Sequence, residues 1–379
     1  MPALSRLVVE LKQSGIREIM NVALGMPDVV RLEVGEPLFT TPQHIVEAAY
    51  LAARQGYTRY TANAGIPSLR SLIARRVSED YGVRATPDNV IVTVGAIGAL
   101  SGAVRAVVDP GDEVLIPDPG WPNYEMIVRC AGAVPRRYPL LAERDYLPDP
   151  SVIDGLIGDR TRALIVNSPS NPLGTVFPEG LVRELVELAC RRDIFLISDE
   201  VYEKIVFEGR HHSASTFDPD GRVIAVFSVS KTYAMTGWRI GYAVAAEPVV
   251  RQMAKLQEAY VSCAPSVSQK AAEAALSGPQ DCVEEMRRTY QENLSVALSV
   301  LEQNGMRYLK PAGAFYVWIH VGCEDSGSFA KQLLTTHKVA VAPGTTFGPS
   351  GKEYVRISLA ARAEDIREGL NRLASAMRL

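Results

Sequence analysis

"VIAVFSVSKTYAMTGWRIGYAVAA" runs from Val223 to Ala246. It holds two apolar, β-branched runs, "VIAVFSVSK" (223–231) and "RIGYAVAA" (239–246). Each reads as a strand buried on both faces. Between them lie small, hydroxylated and aromatic residues, with Lys231 directly behind the first run and Arg239 eight positions later. Most lysines are solvated surface charges, so a lysine fixed at the end of a buried strand needs a reason.

The surrounding chain has the same rhythm. "NVIVTVGA" (89–96), "DEVLIPDPG" (112–120), "RALIVNSPSNP" (162–172) and "IFLISDEVY" (194–202) are further strand-like runs. "IGALSGAVRAVVDPGD" (97–112) reads as a helix stopped at Asp109-Pro110-Gly111. "PEGLVRELVELACRRD" (178–193) places Leu181, Leu185 and Leu188 on one helical stripe. Strands alternating with helices predict an α/β fold, with a mainly parallel sheet in an α/β/α sandwich. Such sheets bind ligands beyond the carboxyl ends of their strands.

The whole chain narrows the possibilities. It has 379 residues, 47% hydrophobic and 22% charged, which is ordinary for a globular protein with a sizeable core. Forty Lys and Arg against 43 Asp and Glu give a net charge of −3. No strong positive field is available to hold a nucleic acid or an anionic membrane. The five cysteines are scattered and form no CxxC pair, which predicts a reduced, cytoplasmic setting. The histidines do not cluster with them, so no metal site is expected. No apolar run reaches membrane-spanning length, and "MPALSRLVVELKQSG" lacks the apolar core of a signal peptide.

One sheet edge should collect the chemistry. The runs end in turn at Gly95-Ala96-Ile97, at Gly120-Trp121, at Asn171-Pro172, at Asp199-Glu200-Val201-Tyr202, and at Ser228, Ser230 and Lys231. Taken singly, each has a plain explanation as a turn, a cap or a packing residue. Taken in order, each at the end of its own strand, they combine an anion site with a possible nucleophile.

"SVSKTYAMTGWRIGY" (228–242) resembles the cofactor-lysine signature of the class I/II aminotransferases, a fold-type I pyridoxal-phosphate (PLP) family. "SPSNPLGTV" (168–176), "SDEVYEKI" (198–205) and "YTANAGIPSLR" (60–70) support the likeness, which extends from "RLEVGEPLFTTP" (31–42) to "YVRISLA" (354–360). It implies a large PLP-binding domain over 43–275. A smaller α+β domain would be made of 1–42 and 276–379. Within the latter, "TYQENLSVALSVLEQNG" (289–305) and "RAEDIREGLNRLASAMRL" (362–379) read as helices and "AFYVWIH" (314–320) as a strand.

The resemblance also assigns roles. Lys231 would form the Schiff base and act as base and acid. Asp199 would partner the pyridine nitrogen, Tyr202 and Asn171 the phenolic oxygen, and Trp121 the ring face. The phosphate would rest on Gly95, Ala96, Ile97, Ser228, Ser230 and Arg239, with Tyr60 reaching the site of a second subunit in a homodimer. Arg356 would grip the substrate α-carboxylate beside Gly35, with Phe315 in the same region, and Asn171 and Trp121 would also touch the substrate. The implied reaction is ping-pong transfer of an amino group from an L-amino acid to a 2-oxo acid.

Two alternatives share parts of this reading. β- or γ-elimination, replacement or oxidase chemistry uses the same scaffold and first steps. A ligand-sensing regulator would need a DNA-binding segment, and "VGEP" already begins at residue 34. The chain also departs from the family pattern. Ile97 stands where many bacterial aspartate aminotransferases of this branch carry a lysine or another polar residue, which predicts a substrate with a neutral or apolar side chain. Leu38 replaces the more usual aspartate of Pro-Asp-Phe.

Overall fold

In this computed structural model the apolar runs of the central chain become one seven-stranded sheet. The described residues are 2–11 and 13–378; Met1, Lys12 and Leu379, which fall in segments expected for the smaller domain, lie outside them. The strands are β1 Val90–Val94, β2 Glu113–Asp118, β3 Val134–Pro139, β4 Thr161–Asn167, β5 Phe195–Asp199, β6 Val223–Ser228 and β7 Ile240–Val244. Their order across the sheet is β1-β7-β6-β5-β4-β2-β3. All share one direction except β7, which is antiparallel to both neighbours. The sheet is thus mainly parallel, as expected. The sequence, however, carried no sign that "RIGYAVAA" runs backwards.

Both faces are covered, which is why the strands carry apolar residues at consecutive positions. Val90, Val92, Leu164, Val166, Leu196 and Phe227 face a layer containing α1 Gln43–Arg54, α2 Pro67–Tyr81, α4 Glu179–Arg191 and α6 Ser266–Ser277. Ile91, Ile116, Ile165, Ile197, Ile224 and Val226 face α3 Gly95–Val107 and α5 Glu247–Val261, with the helix Asn123–Cys130. The expected helix at 97–112 therefore starts two residues earlier and ends before Asp109. Strand β3, "VPRRYP", was not foreseen: two prolines and two arginines weaken its strand signal. They are tolerated because β3 is an edge strand, bonded on one side only.

A third apolar cluster joins Ile19 and Leu32 near the start of the chain, and Val201, Tyr202, Ile205 and Ala234 from behind the large sheet, to residues 286–374. Its sheet consists of β8 Tyr308–Leu309, β9 Tyr316–His320, β10 Ala342–Pro343 and β11 Tyr354–Ser358, all antiparallel. The long helix α7 Asp281–Gln303 and the closing helix α8 Ala363–Met377 pack on it. The helix read at 289–305 is the second half of α7. Val30–Arg31 pairs in parallel with Val339–Ala340, which ties the N-terminal segment to this body.

Asn293 of α7 joins that helix to the segment that follows β11. It is buried, and its Nδ2 donates to Leu359 O at 2.9 Å and to Ala361 O at 2.8 Å. Asn293→Ala leaves two buried carbonyls without a donor. It should destabilise the protein by about 2–3 kcal/mol, read as a lower denaturant midpoint with an unchanged slope.

Candidate active site

A cavity of about 630 Å³ opens at the carboxyl edge of the large sheet. The topology explains its contents. Strands β1, β4, β5 and β6 deliver Ala96 and Ile97, Asn171, Asp199 with Tyr202, and Ser228 with Ser230 and Lys231. Strand β7 runs the other way, so its beginning reaches this edge, and Arg239, directly before β7, arrives in the same cavity. Two residues eight apart in sequence meet because the chain reverses between them. Gly35 and Trp121 also lie on the cavity wall, whereas Gly95, Arg356, Phe315 and Tyr60 do not.

One end is built for an anion. The first turn of α3 has no side-chain cap, and Ala96 and Ile97 of that turn line the cavity at the positive end of the helix dipole. Gly95 has φ +69°, and a Cβ there would lie 2.5 Å from Arg239 Nη2. The Gly95 N–H donates to Arg239 O at 3.0 Å. Arg239 itself sits at φ +58° and donates from Nη1 to Thr236 O at 2.7 Å. The Ser228 hydroxyl caps the short helix Val229–Thr232, accepting from the Ser230 N–H at 3.1 Å and donating to Ile240 O at 3.2 Å. A helix N-terminus, a guanidinium and two serines can together hold a phosphate ester.

The floor holds the amine and the carboxylate. Lys231 Nζ donates to Gly35 O at 2.6 Å. Burial lowers its pKa to about 8; Glu36 pulls it up, and Arg356 and Arg239 push it down. Asp199 is buried and accepts from Tyr124 Oη at 2.6 Å. Burial raises its pKa to about 6 against the lowering effect of the Tyr124 hydroxyl and the Val201 N–H. The Asp199 backbone is held as well, since Asn167 Nδ2 donates to its carbonyl at 2.9 Å. The Asn167 Oδ1 accepts from the Asn171 N–H at 2.7 Å. Tyr124 and Asn167 line the cavity and were missed in the sequence. "WPNY" contained Tyr124, but nothing in the spacing says that its hydroxyl turns back to Asp199.

Arg356 lies one layer behind the wall, 1% exposed. Its Nη1 donates to Asn171 Oδ1 at 3.1 Å and its Nη2 to Glu33 O, while Nε is buried without a partner. An uncommitted donor on a buried guanidinium beside Asn171 suits a carboxylate. Phe315 is fully buried and packs edge-on against Tyr202 at 5.5 Å. Tyr60 is not brought into the cavity; it stands 89% exposed. Leu38 is also exposed and lies off the cavity wall. The outer wall is formed by Ile16, Arg17 and Met20 from the N-terminal helix Gly15–Leu24, facing Ile97 and Leu100.

Known proteins share this arrangement. The profile of the family described as aminotransferase class I and II matches residues 27–373. The chain is 38% identical to a probable aspartate/prephenate aminotransferase of Thermus aquaticus, over the full length of both. It superposes on the aspartate aminotransferase of Thermus thermophilus with maleate at a TM-score of 0.95 and 38% identity, covering 99% of this chain and 100% of that one. It matches an aromatic aminotransferase of Pyrococcus horikoshii at a TM-score of 0.90 and 35% identity, covering 96% and 98%. The chain belongs to the class I and II aminotransferases. It is an α/β enzyme of the fold-type I architecture that transfers nitrogenous groups.

The raised pKa of Asp199 has a measurable consequence. A carboxyl harder to ionise in the folded than in the unfolded state contributes stability at low pH and loses it as pH rises from about 4 to about 6. In the cofactor-free protein, Asp199→Asn should remove that loss. The unfolding free energy of the variant relative to the wild type should rise by on the order of 2–3 kcal/mol between pH 4 and pH 7. Denaturant titrations at both pH values check it.

Proposed function

We propose that this enzyme binds pyridoxal 5'-phosphate in the 630 Å³ cavity and moves an amino group from an L-amino acid to a 2-oxo acid in ping-pong order. The observation that carries the reading is Lys231. It sits on the floor behind β6 with its pKa brought down to about 8, between the anion cradle of Arg239 and α3 and the buried carboxyl of Asp199. When bound, the cofactor supplies an aldehyde for imine exchange and a ring that accepts electrons.

The chain's residues supply the rest. Ala96, Ile97, Ser228, Ser230 and Arg239 would hold the phosphate, and Gly95, whose N–H is taken by Arg239 O, would let the guanidinium come close. Asp199 would hold a proton on the ring nitrogen, and a cation there would restore its ionised form despite burial. Tyr202 and Asn171 would donate to the phenolic oxygen, and Trp121 would cover the ring. Lys231, part neutral near pH 8, would take the proton from the substrate Cα and return it on the far side of the reaction. Arg356 would hold the α-carboxylate through its free Nε edge.

The side-chain wall favours a neutral or apolar substrate. Ile16, Met20, Ile97 and Leu100 form it, and its cation, Arg17, is exposed and rests on Met20 Sδ at 3.8 Å. The exposed apolar residues Tyr50, Leu51, Tyr60, Tyr260 and Val261 support a homodimer in which Tyr60 completes the partner's phosphate site. The separate four-stranded antiparallel sheet formed by residues beyond 276 supports a division near residues 43 and 276, although Val201, Tyr202, Ile205 and Ala234 pack into its core, with the cofactor between the two bodies. All five cysteines are free, which supports a reduced, cytoplasmic setting. Among the described residues, no helix is long and apolar enough to cross a membrane.

Lys231→Ala should lose both turnover and the visible absorbance of the lysine-linked cofactor; normal turnover in that variant overturns the assignment. With an amino donor and no oxo acid, the wild type should stop after one turnover. Continued release of ammonia or of a leaving group would instead place it among the elimination or oxidase enzymes. In a screen of donors followed by loss of that absorbance, neutral amino acids should react fastest. Aspartate and glutamate leading by a wide margin would overturn the reading of the Ile97 wall.

A further inference from the structure

Tyr316 is the first residue of β9, fully buried, and has no part in the scheme above. Its side chain nevertheless touches three groups that do. Its hydroxyl lies 2.9 Å from the Tyr202 hydroxyl. The same oxygen presses on the Gly35 backbone so closely that a Cβ at Gly35 would stand 2.0 Å from it. Its ring lies beneath the Arg356 guanidinium, with Cζ 4.2 Å from the ring centroid. Gly35 in turn accepts the hydrogen bond from Lys231.

We propose that Tyr316 is a positioning residue that acts on the cofactor through Tyr202 and on the substrate carboxylate through Arg356. This rests on the functional reading above. The first arm follows from the protons available. A tyrosine hydroxyl carries one proton. If Tyr202 gives its proton to the phenolic oxygen of the cofactor, it can only accept from Tyr316, so Tyr316 is the donor in that pair. A hydroxyl that accepts a hydrogen bond becomes a better donor, since bonds in a chain polarise one another. Burial raises the pKa of both phenols, which keeps both protons in place. Tyr316 thereby makes Tyr202 a stronger donor and the phenolic oxygen less basic.

The second arm uses the ring. Arg356 is desolvated, its Nη1 and Nη2 are committed to Asn171 and Glu33, and Nε is free. A cation over an aromatic face is attracted to it most where water is excluded. The ring of Tyr316, with that of Phe347 at 5.2 Å, fixes the plane in which Nε is presented.

The two arms separate in two variants of the PLP-loaded enzyme. Tyr316→Phe removes the hydroxyl and keeps the ring. The pH at which its bound-cofactor absorbance titrates should rise by about half a unit, the scale of one weakened neutral hydrogen bond, while affinity for 3-phenylpropanoate stays within about threefold. Tyr202→Phe alone should raise the titration further, and adding Tyr316→Phe to it should change nothing more. Tyr316→Leu removes the ring and should weaken 3-phenylpropanoate binding by about tenfold.

A Tyr316→Phe enzyme that titrates where the wild type does overturns the hydroxyl arm, as does an equal shift in the Tyr202→Phe background. A Tyr316→Leu enzyme with unchanged carboxylate affinity overturns the ring arm. A denaturant midpoint measured on each variant separates lost packing from these effects. A wild-type protein without the absorbance would overturn the PLP reading itself, a result distinct from any of these.

Discussion

The close approach of Gly241 to the start of α3 is the contact on which the site depends. Gly241 pairs with both Thr93 and Ser228, near the start of the antiparallel strand that separates β1 from β6. A Cβ at this position would stand 2.3 Å from Ala96 N and 2.5 Å from Gly95 C. Only glycine lets the first peptide of the helix settle on the strand. That contact places the start of α3 beside Arg239, two residues upstream and directly before the same strand. The reversal of β7 serves the same end. A parallel strand here would carry its first residues to the opposite edge of the sheet and leave the anion cradle without its guanidinium.

Burial does two opposite things to the groups below that cradle. It lowers the pKa of Lys231 and raises that of Asp199, because both are charged forms taken out of water. Neither has an opposite charge within hydrogen-bond distance: Lys231 donates to a carbonyl and Asp199 accepts from a phenol. Arg356 is in the same condition, with one orphan nitrogen. A structural ion-pair network would have brought these charges together. Here they are held apart by neutral hydrogen-bonding groups around an open cavity, which leaves each free to meet a ligand. The arrangement costs stability in the empty protein, and a bound ligand of matching charge recovers it.

The parts of this design that were legible in the sequence were those carried by local runs. "VIAVFSVSK" and its counterparts gave buried strands because a sheet covered on both faces needs consecutive apolar residues. Their ends gave Ala96, Trp121, Asn171, Asp199 and Lys231 because the fold puts ligands there. What could not be read was set by contacts between distant segments. The direction of β7 depends on its neighbours. The strand Val134–Pro139 exists because β2 offers it a free edge, despite its prolines. Tyr124 reaches Asp199 across 75 positions and Tyr316 reaches Tyr202 across 114. The hydroxyl positions follow from how the helix Asn123–Cys130 and strand β9 pack, not from their own residues.

Substrate choice lies in the same long-range class, for a physical reason. The cradle and floor belong almost wholly to the large sheet, whose register is fixed by backbone pairing. The outer wall is shared. Ile97 and Leu100 belong to α3, whereas Ile16, Arg17 and Met20 belong to a helix bound to the smaller body, anchored there by the Glu18–Lys331 pair at 2.7 Å. A side chain entering the cavity therefore meets one surface set by the sheet and another set by how the smaller body stands over it. Arg17, on that helix, rests on Met20 and belongs to no ion pair among the described residues. Under the proposed function, the reacting end of the substrate would meet a rigid frame and the variable end a wall shared between two parts of the chain. Solved structures named for aspartate and for aromatic aminotransferases can then match one backbone at TM-scores of 0.95 and 0.90.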